Sequence, residues 1–206
     1  MFSLRHLAIG SAFAILFASS ALAGSVTFKE NFNELTPALG VTAAAAFSAI
    51  NGTNVDIVGG ALFGGLCVSP ESANCIDLDG TGGKSQGDLE SISALTLKPG
   101  THYTLSFDLI GSQRGVTTST TVSFGPYSKT FVLGSTDNTD GIVSVQLTVP
   151  STTITHLQFL SNTPGNIGAL LDNVSITSTS STVPEPSISV DGWLRPTFRP
   201  TLKRLE

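Results

Sequence analysis

Cys67 and Cys75 are the only cysteines in the chain. Eight positions apart, they can close a small disulfide loop if the protein matures in an oxidising compartment. Chain entropy limits the gain to ~2.5 kcal/mol. Metal ligation is the weaker reading, because a structural zinc takes four Cys or His ligands and the histidines beyond the N-terminal segment, His102 and His156, stand alone. Carboxylates offer a second chemistry. In Asp77-Leu-Asp79-Gly-Thr81-Gly-Gly-Lys-Ser85-Gln-Gly-Asp88, oxygen donors fall at positions 1, 3, 5, 9 and 12, the spacing of a calcium loop. Lys84 at the eighth position, the lack of flanking helices and the alternation of Asp77 with Ile76 and Leu78 favour a glycine-rich turn with solvated carboxylates.

Two more carboxylates stand out by parity. Glu30 falls in step with Val26 and Phe28, and Asp172 with Leu170, Val174 and Ile176, so each lies on an apolar strand face. An unpaired charge there costs several kcal/mol or shifts its pKa; the alternative is that both are strand ends open to solvent. Catalytic arrangements find little support. A Ser-His-Asp site needs a histidine in a cleft, whereas His102 and His156 fall on the polar parity of their strands. No pair of carboxylates is singled out for glycoside hydrolysis, whose roughly 5–10 Å spacing is set in space. Gly83-Lys84-Ser85 lacks the helix of a phosphate loop. For sugar contact the candidates are Tyr127 after Gly125-Pro126, and Gln113 and Arg114 in Gly111-Ser-Gln113-Arg114-Gly115. A ring can stack on a sugar and planar polar groups can bond its hydroxyls. Both segments read equally well as hairpin connections.

The elements that must position these residues are strands. Residues 101–110 alternate with Tyr103, Leu105, Phe107 and Leu109 on one face and Thr104, Ser106 and Asp108 on the other. The same period recurs at 25–31, 55–58, 76–79, 120–124, 129–133, 142–149, 154–160 and 170–177, separated by Gly, Pro, Asn and Asp. The alanine run 41–46 lacks a helical stripe and reads as loop or frayed turn before the hairpin signal Asn51-Gly52. Without helices between strands, a parallel sheet is excluded, and the fold expected is an all-β antiparallel sandwich. No repeat of 20–50 residues suggests a solenoid or propeller.

Composition supports this and narrows the partners. The 206 residues carry 10 Lys+Arg against 15 Asp+Glu, and only 12% are charged. Between Gly24 and Ser181 five basic residues face twelve acidic ones, a net of −7. This argues against nucleic-acid binding, which needs clustered Lys/Arg. Residues 1–23 have the layout of a secretory signal: Arg5, an apolar stretch 7–18, and the cleavage site Ala21-Leu22-Ala23. The apolar stretch falls short of the ~20 residues that span a bilayer, so cleavage after Ala23 is expected, followed by one domain over 24–177. A Ser/Thr linker and a proline-dense tail occupy 178–206.

Two resemblances add to this reading. Val183-Pro-Glu-Pro-Ser187 resembles the start of a PEP-CTERM sorting signal. The following residues, with Asp191, Arg195, Pro196 and Pro200, depart from the apolar helix of that signal, so no stable membrane anchor is expected and the tail reads as degenerate. Across residues 47–176, the runs Gly52-Thr-Asn-Val-Asp-Ile-Val58, Cys75-Ile-Asp-Leu-Asp-Gly80, Pro99-Gly-Thr-His-Tyr-Thr-Leu-Ser-Phe-Asp108 and Leu170-Leu-Asp-Asn-Val-Ser-Ile176 resemble bacterial choice-of-anchor proteins. Those are similar to a plant cell-wall domain family with a galactose-binding-like jelly roll; Phe47 stands where they often carry Trp. The resemblance implies an exported, non-enzymatic sandwich that binds or is embedded in extracellular polysaccharide. A surface protein contacting other proteins is second, and a glycan hydrolase third. In such sandwiches the first and last strands are commonly neighbours, which would bring Glu30 and Asp172 together around one structural calcium.

Overall fold

A computed structural model describes residues 25–68, 73–82, 86–137 and 143–180. The expected signal segment and the proline-dense tail lie outside the described residues. The chain begins with β1 (Ser25–Glu30), β2 (Ala38–Val41), β3 (Ala43–Ala44), β4 (Phe47–Ala49) and β5 (Val55–Gly59). Then follow β6 (Asn74–Asp77), β7 (Asp88–Ser91), β8 (Leu95–Leu97), β9 (Thr101–Ile110) and β10 (Thr118–Phe124). The last five are β11 (Tyr127–Leu133), β12 (Val143–Leu147), β13 (Thr153–Thr155), β14 (Leu157–Ser161) and β15 (Leu170–Ser180). The described residues include no helix, and therefore none long and apolar enough to cross a membrane.

The first sheet has the order β12-β9-β15-β6-β5-β2, with β1 also paired to β15; the second has the order β11-β10-β14-β7-β4-β3. A two-stranded pair, β13-β8, stands apart. Every pairing is antiparallel. The chain is thus an all-β antiparallel sandwich of jelly-roll type. β15 holds the first sheet together: β9 follows it from Leu170 to Ser180, β6 meets its start at Leu170 and Leu171, and β1 meets its end from Val174 to Ser178.

Period-2 patterning explains how the sheets close on each other. Phe107 of β9 and Phe159 of β14, from opposite sheets, meet edge to face at 5.3 Å. Phe47 touches Phe159 at 6.0 Å and Phe28 at 5.4 Å, and Phe131 touches Phe107 at 5.7 Å. Phe47 is fully buried in this chain of rings. Edge-to-face pairs of this kind contribute roughly 0.5–1.5 kcal/mol each beyond area burial.

Several expectations need correction. Within the alanine run 41–46, expected as loop or frayed turn, Val41 ends β2 and Ala43–Ala44 form β3 at the sheet edges, while residues 45–46 form a turn. The expected strand 154–160 breaks at His156: β13 leaves to pair with β8, while His156 Nδ1 lies 2.7 Å from the Ser91 carbonyl and Leu157 N donates to Ser91 Oγ. Ser178–Ser180, expected as linker, extend β15 against Tyr103, His102 and Thr101. Register shifts between Asp172 and Ser175, where Asn173 takes φ 49°. Asn tolerates that left-handed conformation better than most residues, and the bulge changes which face each neighbour meets.

Candidate functional site

The outer face of the first sheet is partly covered. Val58, Cys75, Ile110 and Leu170 form a small apolar cluster there, and Leu66 and Cys67 pack on it from the loop after β5. The expected disulfide joins Cys67 to Cys75, with Cα atoms 5.7 Å apart, and fixes that loop to β6. Phe63, in the same loop, has φ 56° and is 47% exposed. It is the one Phe or Tyr ring among the described residues that is classed as exposed; its setting between Gly60 and Gly64-Gly65 was the available sequence signal. Mutating both cysteines to alanine should cost at most ~2.5 kcal/mol of stability, since the bridge closes only a short loop. Denaturant midpoints with and without reductant would measure it: reductant should lower the wild-type midpoint and leave the double variant unchanged.

Asp77, expected as an outward, solvated residue, is buried, as is Asp79. The cause is coverage by chain distant in sequence. Asp77 Oδ1 accepts from Gly168 N at 2.9 Å and Asp79 N at 3.2 Å, and Oδ2 accepts from Arg114 Nη2 in a close ion pair. Burial raises the Asp77 pKa to about 6, with Arg114 pulling in the other direction. Burial likewise raises that of Asp79, against the Gly87 N–H that donates to its Oδ1. Asp56 ties Gly40 N and Thr81 to the same end of the sheet. Asp77 and Asp79 are therefore held by internal hydrogen bonds, and Asp88 Oδ2 accepts from Asn51 Nδ2 at 2.9 Å.

The two carboxylates expected to share calcium face opposite ways. Glu30 is paired with Val174, which is in the core between the sheets, and its Oε1 accepts from Phe32 N at 2.9 Å. Asp172 lies before the bulge, opposite Asp108 on the outer face, and its Oδ1 accepts from Asn173 N. The parity that placed Asp172 with Val174 and Ile176 fails because Asn173 inserts the extra residue. Among the described residues no three His, Cys, Asp or Glu side chains are grouped to hold a metal. Glu30 and Asp172 as placed do not fit a shared calcium.

The sugar-contact candidates are separated as well. Gln113 N donates to the Ser135 carbonyl and its Nε2 to the Gly111 carbonyl, so the loop carrying Gln113 and Arg114 sits just past the Leu133 end of β11. Tyr127 begins the same strand, about 20 Å away at ~3.3 Å per residue. Its ring packs on the core, and its hydroxyl is buried with no protein partner. Arg114 is committed to Asp77.

The outer face of the second sheet presents a different surface. Paired residues share a face, and one row crosses five strands: Ser48, Glu90, Gln158, Ser123 and Ser128. At ~4.8 Å between strands it is about 19 Å wide. Gln158 Nε2 donates to Glu90 Oε2 at 2.6 Å, and the Ser123 and Ser128 hydroxyls bond at 3.2 Å. A parallel row holds Asp88, Leu160, Thr121 and Thr130, with the two threonine hydroxyls 2.9 Å apart and Asn162 Nδ2 donating to Thr121. The inward partners, Leu89, Phe159 and Val122, are buried, which fixes the rows above them. Sequence reading missed this surface because register across strands is not local, and because β7 offers a single apolar residue, Leu89.

No protein-family model matches the chain, and no curated protein matches it. Solved structures with a similar course include the CBM22-1 xylan-binding domain from Paenibacillus barcinonensis Xyn10C, at 14% identity and TM-score 0.42, over 79% of this chain and 99% of that one. Another is the K1 cleaved adhesin domain of Lys-gingipain from Porphyromonas gingivalis, at 16% identity and TM-score 0.47, over 74% and 98%. A third is the CBM22-1–GH10 part of the Clostridium thermocellum endo-1,4-beta-D-xylanase 10B, at 13% and TM-score 0.45, where the match covers 77% of this chain and 29% of that one. At these scores the likeness bears on neither ligand nor activity.

Proposed function

We propose that this β-sandwich is an exported, non-catalytic module that binds extracellular polysaccharide through the outer face of its second sheet. The observation that carries the reading is the row Ser48, Glu90, Gln158, Ser123 and Ser128, a continuous band of hydroxyl, carboxylate and amide groups held in register by five strands. A glycan chain is a flat series of hydroxyls on apolar ring faces. A rigid array of such groups, with Leu160 in the adjoining row for ring contact, matches that chemistry at low ordering cost. Support for a binding rather than a catalytic role comes from the histidines: His102 is exposed on β9, and His156 Nδ1 is occupied by a backbone carbonyl. The Cys67–Cys75 disulfide fits an extracytoplasmic setting, and the export reading itself rests on residues 1–23.

Retention of the protein in gels containing soluble polysaccharides, reversed by free oligosaccharide, is the test. Gln158→Ala should weaken that retention about tenfold, the effect of losing roughly one good hydrogen bond. Unchanged retention by Gln158→Ala would remove this face as the site; retention by no glycan would remove the reading. Release of reducing ends from a retained glycan would show a hydrolase instead.

A further inference from the structure

We infer that this face selects neutral glycans and excludes acidic polysaccharides, an inference that rests on the glycan reading above and assigns the ligand class to the same surface. The strand residues that register and alternation place on this face include two carboxylates, Asp88 and Glu90, and no Lys or Arg. Lys129 sits on the opposite parity of β11, with its ammonium 4.6 Å from the centre of the Phe131 ring. Arg114 is in the loop before β10, spent on Asp77 of the other sheet. A uronate or sulfate would therefore meet fixed negative charge with no Lys or Arg among the described strand residues of the face to receive it.

Hydrogen-bond polarity points the same way. Gln158 turns its Nε2 toward Glu90, which leaves its amide oxygen as an acceptor, and Glu90 keeps Oε1. That oxygen lies 3.7 Å from His156 Nδ1, whose nearer partner is the Ser91 carbonyl at 2.7 Å. A carbonyl only accepts, so Nδ1 carries the proton and is directed away from the row. The centre of the band is thus rich in acceptors, suited to the hydroxyl donors of an uncharged sugar and unsuited to an anion that can only accept.

The experiment uses the full chain in affinity electrophoresis at one low ionic strength, with neutral probes (xylan, mixed-linkage glucan, galactan) against acidic ones (polygalacturonate, alginate). Retention is expected with at least one neutral probe and at least tenfold weaker retention with every acidic one. Glu90→Gln, checked for an unchanged melting curve, should lessen that discrimination by severalfold. Acidic probes retained as strongly as neutral ones, or a Glu90→Gln protein with undiminished discrimination, would overturn the inference while leaving the glycan reading in place. Retention by none of the probes would overturn both.

Discussion

Replacing Arg114 with methionine is expected to lower the unfolding free energy by about 3–5 kcal/mol at pH 8, the range for removing one partner of a buried ion pair. The Asp77 side chain is 1% exposed and that of Arg114 21%, so the carboxylate left behind has no water to turn to. The effect should shrink on acidification. Burial lifts the Asp77 pKa from 3.8 to about 6 in the folded protein, so between these values the folded state binds the extra proton. Asp77 accordingly contributes stability that is fully present below pH 3.8 and lost as pH rises through about 6, roughly 3 kcal/mol in all. Without Arg114 the folded pKa moves higher still, and the loss continues above pH 6. At pH 5 both proteins hold Asp77 mostly neutral, and the difference between them should fall to the lost hydrogen bonds and packing. Urea titrations of wild type and Arg114→Met at pH 5 and pH 8 would check this. A difference independent of pH would mean that Arg114 acts by packing alone. Asp77→Asn in the wild-type background should flatten the pH dependence in the same window.

Phe159→Ala should be as damaging, about 3–5 kcal/mol, but at every pH. The ring is fully buried and bridges the sheets, meeting Phe107 on one side and Phe47 on the other. Its removal opens a cavity that neither sheet can close without dragging strands paired on both edges: β14 lies between β10 and β7. Val132→Ala is the contrast. Val132 is 68% exposed on the edge strand β11, and its truncation should stay within about 0.5 kcal/mol of wild type. Thermal and denaturant unfolding of both variants would check the pair, and equal losses would contradict the core described for the sandwich.

The long strands were legible because each buries one face. β9 and β10 alternate so regularly that their sides could be assigned from residue type alone. Short strands were not: β3 is two alanines and β7 has one apolar residue among four, too little for a period to register. That gap mattered, because β7 supplies Glu90. The disulfide followed from composition. What the sequence hid were long-range effects: Gly168 and Arg114, 91 and 37 positions beyond Asp77, turn a carboxylate of solvent parity into a buried one. A single Asn173 in the left-handed region likewise broke the parity argument for Asp172.

The place of β15 in the first sheet has a kinetic consequence. Ser25 pairs with Ser178 and Leu170 with Asp77, so the strand that joins three others is the last described one to be synthesised. Until it emerges, β1 has no partner at all, and β9 and β6 each show an open edge. Contacts of such long sequence separation give a high contact order and slow folding. Before residues 170–180 are made the first sheet cannot be completed, although every strand of the second sheet has already been synthesised. Residues 170–180 then pair with β9, β6 and β1 and seal edges that would otherwise recruit other chains.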